Sequence, residues 1–213
     1  MTFINEYEKY LLPLASEMTD IRIIDDLSVS GRELESLISA LPKWRRDAAQ
    51  RHRKEQGRRE CCLSYLLLQD MLRDDFGIRQ QPEFAVGEHG KPALSCGIAF
   101  NISHCRRAVA CVVSDEEDVG IDIECNGRYT ENLADHCMSA EERSAIAGAA
   151  DPDMEFTLLW TRKEALLKLT GEGITDDLRT VLQSDRMRGV QITSHANTEK
   201  GYAWSVATKK KER

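Results

Sequence analysis

Between Phe84 and Glu124 the chain abandons the three-to-four-residue hydrophobic spacing of a helix for the alternation of strands. Upstream, Leu34, Leu37, Ile38 and Leu41 recur at helical spacing over Glu33–Leu41, and Pro42 ends that helix. A long helical region is then expected from Arg45 to Asp75, polar in its first half and leucine-rich from Leu63 to Leu72, with Gly77 as its cap. A strand at Asp20–Leu27 precedes these helices, carrying Ile21, Ile23 and Leu27. Within the strand-like stretch, Phe84–Val86 leads to a turn at Gly87–Pro92, and Gly97–Ser103, Ala108–Ser114 and Val119–Glu124 follow as strands. The acidic run Asp115–Asp118 reads as a solvated hairpin turn. Helix then returns: Ser139 and Glu142 form a capping box, and Asp153–Gly171 carries Phe156, Leu159, Trp160, Leu166 and Leu167 on an apolar side. Leu178–Leu182, Gly189–His195 and Tyr202–Thr208 are expected as short strands before a basic tail, Lys209–Arg213. Helix and antiparallel-type strands thus occur in both halves, which predicts an α+β fold.

Composition narrows the function classes. No apolar run approaches the ~20 residues that span a bilayer, and Glu6 and Glu8 break the order of a signal peptide, so a cytoplasmic protein is expected. The seven cysteines are odd in number and contain no Cys-x-x-Cys pair, which argues against structural zinc and for small buried thiols in a reducing compartment. A net charge of −7 argues against a general nucleic-acid binder. That charge is uneven: Pro42–Glu60 holds eight basic residues against three acidic ones. Such a patch suits a phosphorylated nucleotide or an acidic protein partner, or is one solvated helix face.

Three short segments carry the chemistry. In Gly120-Ile121-Asp122-Ile123-Glu124, strand alternation puts Asp122 and Glu124 on one side and both isoleucines on the other. Two adjacent carboxylates repel unless protonated, hydrogen-bonded or bridged by a cation, and oxygen ligands of this kind suit Mg²⁺. In Trp160-Thr161-Arg162-Lys163-Glu164-Ala165-Leu166-Leu167-Lys168, Glu164 and Lys168 are neighbours one turn apart. They form either a surface ion pair or a third carboxylate with a phosphate-neutralising cation. In Phe100-Asn101-Ile102-Ser103-His104, the histidine ends a strand beside Arg106 and Arg107 and either is structural or contacts a phosphate.

The order and spacing of these segments, with Gly90-Lys91-Pro92 ahead of them and the basic stretch Lys54–Arg59 upstream, resemble the phosphopantetheinyl transferases of the surfactin-synthetase-activating type. The resemblance implies two similar α+β halves related by a pseudo-two-fold axis, residues 1–116 and 117–213, in a monomer with the active site between them. It implies that Asp122, Glu124 and Glu164 hold Mg²⁺ and that Lys168 neutralises the diphosphate of coenzyme A. Ser103, His104, Lys91 and Arg59 are implied to grip the phosphorylated adenosine, with Arg58 as the substitute for Arg59, and Lys163 is implied as a further coenzyme A contact. Cys105 stands where that family often has serine.

The implied reaction moves phosphopantetheine from coenzyme A to a serine of an apo acyl or peptidyl carrier protein. Its general base is Glu164 or a water on the metal. No nucleic acid and no membrane enters this reading. The alternatives are a Mg²⁺-dependent phosphohydrolase built on the same carboxylates and a non-catalytic module that binds coenzyme A or a carrier protein. Replacing Asp122 by alanine is expected to relieve carboxylate repulsion and to leave the fold intact.

Overall fold

The computed structural model describes residues 8–11, 19–86, 91–171, 173 and 178–211. Strands β1 (Glu8–Leu11) and β2 (Thr19–Ile24) are followed by helices α1 (Gly31–Ala40), α2 (Lys43–Gln50) and α3 (Glu55–Phe76). Next come β3 (Phe84–Val86), β4 (Pro92–Leu94), β5 (Ala99–Cys105), β6 (Ala108–Ser114) and β7 (Glu117–Cys125). Helices α4 (Glu131–Cys137), α5 (Ala140–Gly148) and α6 (Pro152–Thr170) lead to the closing hairpin of β8 (Val190–Asn197) and β9 (Tyr202–Lys210).

Two larger antiparallel sheets organise the described residues, one in the order β1-β2-β6-β5 and one in the order β7-β9-β8, and β3 pairs with β4 in a small two-stranded sheet. Leaving β1 aside, each larger sheet follows one rule: its opening strand lies beside the last strand of its hairpin. A long helix precedes each hairpin and ends on a glycine in the left-handed region, Gly77 (φ 68°) after α3 and Gly171 (φ 75°) after α6. Glycine is favoured there because a side chain is strained at positive φ.

The unbroken apolar run of β6 has a simple cause: both of its faces are covered. Val109, Cys111 and Val113 join the leucines of α3 in one core cluster. Ala108, Ala110 and Val112 join Ile21 and Ile23 against Val119, Ile121, Ile123, Trp204 and Val206 of the second sheet. Beyond that sheet, Ala165, Leu166 and Leu169 of α6 pack with Ala207. The layers therefore run α3, first sheet, second sheet, α6. Among the described residues no helix is long and apolar enough to cross a membrane.

Several sequence expectations are corrected. The helical region Arg45–Asp75 is two helices, broken at residues 51–54, where Arg51 and His52 donate back to the carbonyls of Ala48 and Ala49. The corner lets Trp44 pack edge-on to Tyr65 and Phe84 at 5.6 and 5.3 Å between centroids. Asp115–Asp118 is not a hairpin turn, because β6 and β7 belong to different sheets. Its Glu117 is buried and accepts from the Thr19 hydroxyl at 3.0 Å. Leu178–Leu182 forms no strand: Val181–Gln183 is a 3₁₀ turn whose Val181 is buried near α6. Lys209 and Lys210 of the expected basic tail belong to β9, and α4 and β1 were not anticipated. The capping box of Ser139 and Glu142 is present, and the turn at 87–90 lies outside the described residues.

Candidate active site

Gly120 decides how the site is built. Val119, Ile121 and Ile123 of β7 point into the core between the sheets, so Gly120, Asp122 and Glu124 share the other side. A Cβ on Gly120 would lie 2.3 Å from the Ala165 carbonyl oxygen and 2.4 Å from the Leu169 nitrogen of α6. Only glycine lets the helix backbone rest on the strand at this distance. A second clamp is the buried hydroxyl pair Thr161–Ser205, 2.8 Å apart, between α6 and β9.

The close approach delivers α6 side chains to β7. The Lys168 ammonium donates to Asp122 Oδ1 at 2.7 Å and to Ser103 Oγ at 2.8 Å, and the Ser103 hydroxyl donates to the same Asp122 oxygen at 2.9 Å. Ser103 is brought there because β5 lies along β7, where the Asn101 side-chain oxygen accepts from the Ile121 amide at 3.0 Å. Six predicted site residues, Ser103, His104, Asp122, Glu124, Glu164 and Lys168, line one cavity of about 370 Å³ together with Ile102 and Trp160. Trp160 faces it because residues 160, 164 and 168 repeat every four positions on one side of α6.

Negative charge dominates this cavity. Burial, reinforced by Asp122, pushes the Glu124 carboxyl up to about 6. The same two causes, burial first, raise the carboxyl of Glu164. Glu124 is partly offset by Arg128, whose guanidinium is 2.9 Å away and lies over the Trp160 ring at 5.3 Å. Asp122 Oδ2 and Glu164 Oε1 are buried with no hydrogen-bond partner among the described residues. Buried carboxylate oxygens left in this state are ligands in search of a cation, and hard oxygen donors fit Mg²⁺. Among the described residues, however, no group of three or more His, Cys, Asp or Glu side chains is already gathered at metal-binding spacing. Lys168 is the cation in place, and it takes only one of the Asp122 oxygens.

Three predicted contacts lie elsewhere. Lys163 is buried on another side of α6, where it donates to Glu142 at 2.7 Å and to the Leu178 carbonyl at 2.8 Å. It secures α5 to α6, because Glu142 is also the residue of the capping box. Lys91 donates to the carbonyls of Val119 and Leu169 at 3.0 and 3.2 Å and lines a separate hollow with Asp118 and Lys211. Arg59 donates to the Val29 carbonyl at 2.5 Å and pairs with Glu55, while Arg58 pairs with Glu35. Neither arginine lines the cavity. The Glu164–Lys168 surface pair is also replaced, since Lys168 turns to Asp122 and Ser103.

Sequence reasoning overlooked Arg128, Asn101 and the packing role of Gly120, for which the only signal was a glycine opening the acidic strand. It also overlooked a groove of about 600 Å³ walled by Trp44, Arg45, His52, Tyr65, Phe84 and Phe100. Ile102 and His104 line both the groove and the carboxylate cavity, so the two communicate there. His104 Nδ1 lies 3.4 Å from Glu60 Oε2, and burial lowers the His104 pKa despite that carboxylate.

The chain is similar in sequence to known proteins. Residues 118–213 match the model of the 4′-phosphopantetheinyl transferase superfamily. The 4′-phosphopantetheinyl transferase AcpT of Salmonella typhi is 41% identical over 101 residues, covering 42% of this chain and 50% of that protein. The chain thus spans about half the length of that curated relative. The 4′-phosphopantetheinyl transferase Sfp of Bacillus subtilis is 28% identical over 176 residues, 78% of each chain. The 4′-phosphopantetheinyl transferase psf-1 of Bacillus pumilus is 27% identical over 203 residues, covering 88% of this chain and 86% of that protein.

Proposed function

We propose that this chain, which is similar to the 4′-phosphopantetheinyl transferase superfamily, transfers phosphopantetheine from coenzyme A to a serine of an apo acyl or peptidyl carrier protein. The observation that carries the reading is the meeting of Asp122, Glu124, Glu164 and Lys168 in one cavity, contributed by β7 and α6. Few reactions need so much carboxylate beside a lysine; transfer between phosphate esters is one, because a diphosphate must be both held and neutralised.

The residues divide the work by charge. Lys168 meets the diphosphate and offsets the negative charge that grows on the leaving group. Ser103 fixes the Lys168 ammonium, and His104 stands at the end of the cavity where the adenosine phosphate enters. Glu164 keeps a buried, unpartnered oxygen and a raised pKa, which supports it as acceptor of the serine proton. The serine oxygen bonds to the phosphorus that bears the pantetheine arm, the bond from that phosphorus to the bridging oxygen breaks, and adenosine 3′,5′-bisphosphate leaves. Mg²⁺ on Asp122, Glu124 and Glu164 supplies further charge compensation when bound.

The common strand order of the two sheets and their matching glycine-capped helices support two related halves, 1–116 and 117–213, around a pseudo-two-fold axis. That β5 and β7–α6 of one chain together wall the cavity supports a monomer. Free thiols at all seven cysteines support a reducing, cytoplasmic setting.

The test is incubation with coenzyme A, Mg²⁺ and a panel of apo carrier proteins, read by mass spectrometry of the carrier. A phosphopantetheine adduct on a serine is expected. Release of phosphopantetheine to water with no adduct would favour a phosphohydrolase. Binding with neither product would favour a non-catalytic module.

A further inference from the structure

Glu60 stands beside His104, where the transferase reading above brings the adenosine phosphate. His104 lines both the carboxylate cavity and the aromatic groove, and a ligand that reaches from one to the other passes it. Beside it is a third hollow of about 320 Å³, where His52, Arg53 and Lys54 meet Gln56, Gly57 and Glu60. Among the described residues Glu60 is the one anionic residue lining that hollow, and it is held in place at both oxygens. Gln56 Nε2 donates to Oε1 at 2.8 Å, and His104 Nδ1 lies 3.4 Å from Oε2. Its side chain is only 13% exposed, so water screens it poorly. Lys168, His52 and Arg45 also act on His104, while the carboxylate cavity that it lines brings Asp122, Glu124 and Glu164. On the side of the hollow and the groove, His52, Arg53, Lys54 and Arg45 attract an anion, and Glu60 opposes it.

We propose that Glu60 is a specificity-determining residue: its carboxylate opposes a phosphate monoester at His104, so the site distinguishes coenzyme A from 3′-dephospho-coenzyme A only weakly. The inference rests on the transferase reading above. A dianionic phosphate at His104 must either displace the carboxylate from the imidazole or sit against a like charge, and a ligand without the 3′-phosphate meets neither obstacle.

Calorimetric titration of the whole chain with each ligand in the presence of Mg²⁺ tests this. In the wild type the two dissociation constants should differ by less than about tenfold. Glu60→Gln and, independently, Glu60→Ala should tighten coenzyme A by about tenfold while moving 3′-dephospho-coenzyme A by less than about twofold. The wild-type ratio needs no variant to fold. A wild-type preference for coenzyme A of about a hundredfold, or a Glu60→Gln ratio equal to the wild-type ratio, would overturn the proposal. Carrier modification measured alongside separates the two readings. Transfer with an unchanged ratio sinks the role of Glu60 alone, a shifted ratio without transfer sinks the transferase reading alone, and no binding of either ligand sinks both.

Discussion

Lys168 and Asp122 form the central pair of the site, with the ammonium 2.7 Å from an Asp122 oxygen on a side chain that is 5% exposed. With this pair in place, Asp122→Ala does more than relieve carboxylate repulsion, because it breaks a largely buried ion pair. The substitution removes the acceptor shared by Lys168 and Ser103 and leaves the ammonium with the Ser103 hydroxyl but without its counter-charge. Breaking a partly buried pair of this kind costs about 2–4 kcal/mol. Asp122→Ala should therefore lower the urea midpoint as well as cut carrier modification by at least about a hundredfold. An alanine variant as stable as the wild type would show that the pair contributes nothing to the fold.

Lys168→Met separates charge from scaffold. The Lys168 side chain is 30% exposed, so its loss costs less stability than loss of Asp122. If it faces the diphosphate, its charge matters most as the leaving group departs, and kcat should fall far more than affinity for coenzyme A. Lys168→Arg keeps the charge with a different shape and should recover only part of the rate. Unchanged kcat in Lys168→Met would leave the proposed mechanism without its cation.

Gly120→Ala tests the joint on which the site hangs. The new methyl would meet backbone atoms of α6 at 2.3 and 2.4 Å, and backbone cannot swing aside as a flexible side chain does. The helix must lift, carrying Glu164 and Lys168 away from Asp122. A loss of at least about 1–3 kcal/mol is expected, the usual scale for overpacking, with transfer reduced alongside. Gly148→Ala is the control, because nothing lies within 4 Å of its Cβ position in α5. It should be neutral or stabilising by up to about 1 kcal/mol. Equal stability for the two variants would show that α6 does not bear on Gly120.

What the sequence disclosed of all this follows from how local each cause is. The Asp122–Glu124 alternation and the four-residue spacing of Glu164 and Lys168 are local geometry, and the residues arrive in one cavity as that geometry requires. Gly77 and Gly171 cap their helices for equally local reasons. Lys163 was misplaced although its neighbour was not, since one residue along a helix turns the side chain by about 100°. Its Glu142 partner lies in another helix and left no mark in the motif. The break between α2 and α3 contains neither proline nor glycine, and tertiary packing around Trp44 and Tyr65 defines it. Leu178–Leu182 resembled a strand because Val181 is buried, yet burial against α6 needs no strand partner. Lys91 is the sharpest case: its motif was legible, but carbonyls of Val119 and Leu169 hold its ammonium away from the cavity.

Glu124 gives the site a pH signature whose sign is fixed by its direction of shift. Its carboxyl rises from 4.5 to about 6 on folding, first through burial and then through Asp122. Between those values the folded chain holds the proton more tightly than the unfolded chain, so stability falls as pH rises. Below the unfolded value both states are protonated and the penalty is absent; above about 6 both are ionised and it is complete. Glu124→Gln carries no such charge. The stability of Glu124→Gln relative to the wild type should therefore climb as pH is raised through this window and level off above it. Glu164, raised by the same causes, contributes in the same direction, and Glu164→Gln should show the same trend. Added Mg²⁺ should offset the penalty in the wild type at neutral pH, since a bound cation relieves the carboxylate repulsion, and should stabilise Glu124→Gln less. Urea midpoints of the three proteins from about pH 4 to about pH 8, with and without Mg²⁺, make the comparison. A wild type that gains stability over Glu124→Gln as pH rises through 6 would show that Glu124 is held by its neighbours as an anion and not pressed toward its acid.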